Sequence, residues 1–165
     1  MIDFEFTEEH KLLEQTVREW GAREIGPKIH DLDRAHYFDP KILEQMRDLD
    51  LLGMCIPTHY GGSGMDYVSL GLTCEELEYV DTSLRVIISV HIALNSLSLL
   101  TWGSEEQRQR YLVPQARGTR IASYGLTEPS AGSDVRGMQS VAVRQGDCWI
   151  LNGEKMWISL ADVAD

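Results

Sequence analysis

The hydrophobic period of this chain changes once, and no other feature constrains its architecture as much. From Thr7 to about residue 114 the apolar residues recur at helical spacing, and from Ile121 onward they fall in short β-rich runs broken by turn residues. Leu13, Val17 and Trp20 sit at i, i+4 and i+7, a stripe that one helix turns toward a core. Thr7 is a suitable N-cap, Glu8 and Glu9 put acids where the helix dipole favours them, and Gly26-Pro27 ends the run. Residues 28–36 read as a short second helix with Ile29, Leu32 and Ala35 facing in. Asp39 as cap and Pro40 as first helical residue open a third, with Ile42, Leu43, Met46 and Leu49 inward and Gly53 as its C-terminal cap.

Residues 57–65 form a loop. Gly61, Gly62 and Gly64 invite a phosphate-cradle reading, but no Gly-Lys-Ser/Thr follows and the spacing is not G-x-G-x-x-G, so a plain connection is the better reading. Asp66 caps a helix from Tyr67 to about Val80, with Glu75, Glu76 and Glu78 on its wet side. Asp81-Thr82 starts an apolar helix to about Trp102, whose Leu84, Ile87, Ile88, His91, Leu94 and leucines up to Leu100 cover so much of its circumference that a central place in a bundle is expected. Its most apolar run, Val86 to Leu100, is short for a bilayer span, and no membrane crossing is expected. His91 and Asn95 resemble a ligand or acid/base pair, but with no carboxylate or cysteine on that face they read as core polar groups with internal partners. Ser104-Glu-Glu-Gln107 is a capping box opening a helix over 105–113 that Pro114 stops.

Beyond the boundary, Ile121–Tyr124, residues 139–144 and residues 148–151 read as strands, the last two a hairpin around Gln145-Gly-Asp147, and Lys155–Ser159 as a further strand after the Asn152-Gly153 turn. The expected fold class is α+β: an all-α helical bundle over 1–118, then the first strands of an antiparallel β-barrel-like domain over 119–165. Strands so few bury little area and leave open edges, so the chain reads as a fragment.

Charge and cysteines narrow the partners. The net charge is -11, from 15 basic and 26 acidic residues, and no Lys/Arg cluster forms a footprint for nucleic acid. Cys55, Cys74 and Cys148 are odd in number and lack C-x-x-C spacing; they imply no disulfide framework or zinc site, and read as small buried residues of a protein in a reducing, cytoplasmic setting. The N-terminus, Met1 to Phe6, is acidic where a leader is basic.

The chemistry concentrates in two stretches. Tyr124-Gly-Leu-Thr-Glu-Pro-Ser-Ala-Gly-Ser-Asp-Val135 is dense in small and hydroxylated residues, and Ala131 and Gly132 leave its backbone amides open to a ligand. Gly153-Glu-Lys-Met-Trp-Ile-Ser159 sets a large aromatic beside polar groups. One supplies hydrogen bonds and the other a flat apolar face, a combination suited to a planar, phosphorylated cofactor.

Together the two stretches resemble the flavin motifs of the acyl-CoA dehydrogenase family. Tyr60-Gly-Gly-Ser-Gly-Met65, Glu75-Glu-Leu-Glu78 and Gly103 to Leu112 look like further family landmarks in the right order, and Thr58-His59 departs where members often carry acids. The resemblance implies FAD as cofactor, with Tyr124, Leu126, Thr127, Gly132, Ser133, Trp157, Ile158 and Ser159 as cofactor-binding residues and Ser133 also meeting the CoA part of the substrate. Thr127 would lie at the N5/O4 edge of the flavin, Trp157 against its ring, and Glu128 would hold the loop. A core position remains the alternative for Tyr124 and Trp157, and is the plain reading of Trp20 and Trp149. The implied reaction removes the α-hydrogen of an acyl-CoA thioester as a proton and passes the β-hydrogen as hydride to the flavin, giving a trans-2-enoyl-CoA. An electron-transfer flavoprotein then takes the electrons. The base is a glutamate of a C-terminal domain that matches nothing in this chain, so no catalytic residue is expected here, and the full-length family assembly is a homotetramer. An acyl-CoA oxidase and a non-catalytic, acyl-CoA-binding subunit are the competing readings.

Overall fold

The computed structural model describes residues 5–165, so the first four residues of the N-terminal stretch read for a leader lie outside it. Helix α1 (Glu8–Trp20) begins with Thr7 Oγ1 accepting the His10 N–H at 3.1 Å, while His10 Nδ1 accepts the Thr7 N–H at 3.3 Å. A histidine thus completes the capping box. Its Nε2 reaches 3.1 Å to Asp66, whose carboxylate also accepts the Ser69 N–H at 2.8 Å and caps α4 (Tyr67–Val80). One imidazole therefore ties two helix starts together. Past Trp20 the chain widens into a π-turn over Gly21–Ile25 and stops at Gly26.

Helix α2 (Ile29–Ala35) half-buries Ile29 and Leu32 and leaves Ala35 exposed. In α3 (Lys41–Asp48) the regular helix starts one residue later than expected, after Pro40, but the Asp39 carboxylate accepts the Lys41 N–H at 3.1 Å, the bond expected of a capping acid. Gly53 is not a C-cap. The chain leaves α3 through Leu49 and left-handed Asp50, and Gly53 closes a 3-10 turn (Leu51–Gly53) pressed against the backbone of Ala116.

On α4, Glu75 and Glu78 are wet as expected, but Glu76 is buried. Its two oxygens take a fork from Arg18 of α1, at 2.9 Å from Nε and 2.6 Å from Nη2, which removes the cost of a lone buried carboxylate. Helix α5 (Thr82–Trp102) is π-wound over Ser89–Ser96. It has the length and hydropathy of a membrane span, contrary to the expectation, yet its buried face carries hydrogen-bonded His91 and Ser96 and belongs to the helical core. Its central place is one-sided: Leu94 is 43% and Trp102 86% exposed. Helix α6 (residues 105–116) keeps the expected Ser104–Gln107 capping box but runs through Pro114 to Ala116. The π-turn Arg108–Leu112 just before it opens the helix where the proline ring would otherwise strike a preceding carbonyl.

The main core gathers Val17, Trp20, Met46, Leu52, Leu77 and Ile88 with others from every helix but α6, and Ile121 joins it. A smaller cluster joins Ile56 and Tyr60 to Leu112 and Ala116 of α6. Strands β1 (Val141–Gln145) and β2 (Cys148–Asn152) pair antiparallel, Val141 opposite Asn152 and Gln145 opposite Cys148, with both faces exposed. Trp149 is accordingly 64% exposed and no core residue, and of the cysteines Cys148 is exposed and Cys55 and Cys74 half-buried. Neither Ile121–Tyr124 nor residues 155–159 form strands. Ile121 instead exchanges bonds with Asp165, its N–H donating to the carboxylate at 2.8 Å and its carbonyl accepting the Asp165 N–H at 3.0 Å. A helical domain followed by a two-stranded antiparallel sheet is the observed α+β architecture.

Candidate functional site

The site is built where residues 124–135 meet residues 153–160. A tight turn closes at Glu128 and Ala131, which exchange backbone hydrogen bonds at 3.0 and 3.1 Å around Pro129-Ser130. The Glu128 side chain is buried and accepts Lys155 Nζ at 2.8 Å, the Gln139 N–H at 2.6 Å and the Ser140 N–H at 3.1 Å. Those partners, Lys155 first, hold its carboxyl down to about 2. Glu128 is thus a loop-holding group, as the sequence reading has it, and an ionised one.

Two further bonds join the stretches: Lys155 Nζ donates to the Leu126 carbonyl at 2.9 Å, and the Met156 N–H to the Thr127 carbonyl at 2.8 Å. The carbonyls of Leu126 and Thr127 are therefore engaged, while their N–H groups and the Thr127 hydroxyl have no hydrogen-bond partner among the described residues. Gly132 and Ser133 are exposed, and nothing lies within 4 Å of where a Gly132 side chain would begin. Trp157 is 84% exposed on a left-handed backbone, φ 58°, and Leu160 is left-handed too, φ 65°. Ile158 and Ser159 are half-buried and Tyr124 is 42% exposed, so neither Trp157 nor Tyr124 is a core aromatic. Ser159 and Leu160 face Phe38, Val86 and Ile87 across a cleft of about 270 Å³ between the helices and this segment.

The residue without a role in the sequence reading is Lys155. Its signal is a lone ammonium beside the aromatic of the second stretch, and only the fold shows that the first stretch supplies its acceptors. The other candidates resolve as structure. Ser63, Gly64 and Met65 spend their N–H groups on the carbonyls of Gly53, Ile56 and Met54 at 2.7 to 3.2 Å, leaving no phosphate cradle. His91 bonds Gln115 and Ala122, and Asn95 Nδ2 the Val90 carbonyl at 2.9 Å.

Residues 7–119 match the acyl-CoA dehydrogenase N-terminal domain family, and residues 123–165 the acyl-CoA dehydrogenase middle domain family. The chain belongs to the acyl-CoA dehydrogenase family. It is 39% identical over 164 residues to the short-chain specific acyl-CoA dehydrogenase of Clostridium acetobutylicum, covering 99% of this chain and 43% of that relative. The butyryl-CoA dehydrogenase structure from Megasphaera elsdenii superposes with a TM-score of 0.95 at 30% identity, over 99% of this chain and 44% of that one. A glutaryl-CoA dehydrogenase from Mycobacterium smegmatis in complex with FADH2 gives 0.91 at 36% identity, over 97% and 41%. A chain from work on the electron transferring flavoprotein of Acidaminococcus fermentans gives 0.95 at 38% identity, over 99% and 43%. The 165 residues thus span less than half the length of these acyl-CoA dehydrogenase relatives.

Proposed function

We propose that this chain is the cofactor-holding portion of an FAD-dependent acyl-CoA dehydrogenase that converts an acyl-CoA thioester to its trans-2-enoyl form. The observation that carries the reading is the division of the Leu126–Thr127 backbone: its carbonyls are tied to Lys155 and Met156, and its N–H groups and the Thr127 hydroxyl stand open beside an outward-facing Trp157. Donors and an exposed indole fit the polar edge and apolar face of an isoalloxazine. The strained backbone at Trp157 adds weight, since a bulky residue holds a left-handed conformation where function fixes it. The FADH2 complex of the glutaryl-CoA dehydrogenase relative supports the choice of cofactor.

When bound, FAD supplies a two-electron acceptor for the substrate's β-hydrogen. The chain's own residues do the rest. Leu126 and Thr127 donate hydrogen bonds to the cofactor's polar edge, where donors favour the negative charge of the reduced form. Trp157 covers one face and excludes water, with Tyr124, Ile158 and Ser159 at the margins. Gly132 lets the backbone approach a phosphate closely, and Ser133 donates to the cofactor and to the CoA moiety. The proton-abstracting base is not Glu128, whose oxygens are fully committed; it belongs to protein outside these residues. An electron-transfer flavoprotein as electron acceptor and a cytoplasmic homotetramer are part of the same proposal.

The test is flavin retention by the full-length protein. Thr127→Val and Trp157→Ala are each expected to weaken it roughly tenfold or more, the scale of a lost buried donor or aromatic contact. Unchanged retention together with an unchanged flavin spectrum overturns the reading.

A further inference from the structure

Lys155 sits between the two stretches, and its ammonium contacts two different kinds of oxygen. It lies 2.8 Å from Glu128 Oε1 and 2.9 Å from the Leu126 carbonyl oxygen. The carbonyl contact is not needed to bring the loops together, because the Met156 N–H already bonds the Thr127 carbonyl at 2.8 Å without any charge. Nor does Glu128 depend on Lys155 alone, since the Gln139 and Ser140 N–H groups reach the same carboxylate.

What the carbonyl contact does is electronic. The Leu126 C=O and the Thr127 N–H are the two ends of one planar, conjugated peptide. A cation on the oxygen draws electron density from the nitrogen and makes the N–H a stronger donor, as bonds in a hydrogen-bonded chain polarise one another. That N–H has no acceptor among the described residues, and the cofactor reading gives it the flavin edge as its acceptor. We propose that Lys155 is a positioning residue that polarises the Leu126–Thr127 peptide, strengthens the Thr127 N–H as a donor to reduced flavin, and so raises the flavin's reduction potential. Glu128 opposes it: the carboxylate beside the ammonium cancels part of its field and trims the potential to an intermediate value. The inference rests on the flavin reading of the preceding section.

The two charges give the proposal a signature that a merely structural clasp lacks. Removing the cation leaves Glu128 unopposed near the reduced flavin, whereas removing the anion leaves Lys155 unopposed, so the two changes shift the potential in opposite directions. A clasp that only holds the loop loosens whichever partner is lost, and shifts the potential one way in both cases.

The experiment measures flavin midpoint potentials by spectroelectrochemistry on the full-length, flavin-loaded protein and its Lys155→Met, Lys155→Arg and Glu128→Gln variants. Lys155→Met is expected to shift the reduction equilibrium roughly threefold or more toward oxidised flavin, about 14 mV for a two-electron couple. Glu128→Gln shifts it toward reduced flavin, and Lys155→Arg, which keeps a charged donor on the carbonyl, stays near wild type. Shifts of the same sign in Lys155→Met and Glu128→Gln, or no shift in Glu128→Gln, overturn the proposal. If Lys155→Met is isolated without flavin, the sign for Glu128→Gln decides alone. A folded wild-type protein that binds no flavin overturns the flavin reading itself, a result visible before any variant is compared.

Discussion

The Ala122 N–H donates to His91 Nδ1 at 3.1 Å, fastening the segment that leads into Tyr124 to the fully buried face of α5. Because that nitrogen accepts, the imidazole proton sits on Nε2, which donates to the Gln115 carbonyl of α6 at 3.0 Å. Ser96 Oγ, 3.0 Å from both the His91 carbonyl and Gln115 Oε1, closes the network. A single neutral ring thus spans two helices and the approach to the candidate site.

His91→Leu fills most of the volume but leaves the half-buried Ala122 N–H without a partner, while the Gln115 carbonyl keeps the Gly118 N–H at 2.9 Å. One orphaned group costs about 1–3 kcal/mol, and a loss of that size in unfolding free energy is expected. His91→Gln, which keeps a donor and an acceptor, loses less than half of that. Urea unfolding of both variants measures the difference, and a leucine variant as stable as wild type means the Ala122 bond does not form in solution.

Acid should weaken the protein in two separate limbs. Burial lowers the His91 pKa below its ordinary 6.5, so its contribution is complete above that value and is lost as the pH falls through the folded-state pKa. Glu128, held from its ordinary 4.5 down to about 2, contributes fully above 4.5 and loses its contribution as the pH falls toward 2. Unfolding midpoints recorded against pH are expected to show both limbs. His91→Gln abolishes the upper one and Glu128→Gln the lower; a variant that leaves its limb in place assigns the titration to another group.

Gly53 and Gly71 should respond to alanine with opposite signs. A Cβ on Gly53 would collide with the Ala116 carbonyl, which is backbone and cannot step aside alone, so Gly53→Ala should destabilise by about 1–3 kcal/mol. Gly71 lies exposed inside α4 with nothing within 4 Å of its missing Cβ. There alanine restores helix propensity, and a gain of about 0.5–1 kcal/mol is expected. Melting temperatures of the pair check both signs at once.

What the sequence made legible was decided within a few residues along the chain. The caps at Thr7, Asp66 and Ser104 and the Leu13–Val17–Trp20 stripe depend on local chemistry, and local chemistry is what a sequence displays. What it hid was decided at a distance. Glu76 looked wet among other acids because its partner, Arg18, is 58 residues away. Ile121–Tyr124 and residues 155–159 carry strand-like residues, but Asp165, His91 and Thr127 supply the bonds that neighbouring strands would have made. Pro114 reads as a stop only while the helix before it is regular, and the π-turn at Arg108–Leu112 is not. For the candidate site, the loops were legible from their composition and Lys155 was not, since an ammonium acquires its role from acceptors 27 and 29 residues upstream.

Trp157 offers the sharpest separation of folding from binding. The indole is 84% exposed, so removing it forfeits little burial, and its left-handed φ of 58° costs about 1–2 kcal/mol that glycine does not incur. Glycine also adds about 0.4–1 kcal/mol of freedom to the unfolded chain, which offsets most of that relief. Trp157→Gly should therefore leave the unfolding free energy of the flavin-free protein within about 1 kcal/mol of wild type. Its flavin affinity should fall roughly tenfold or more, because the loss includes the stacked face and the residue whose strained backbone presents it. Calorimetric unfolding of the apoprotein, paired with flavin titration followed by fluorescence quenching, reads the two quantities separately. A large loss of stability would make Trp157 a structural residue, and an unchanged affinity would remove it from the cofactor site.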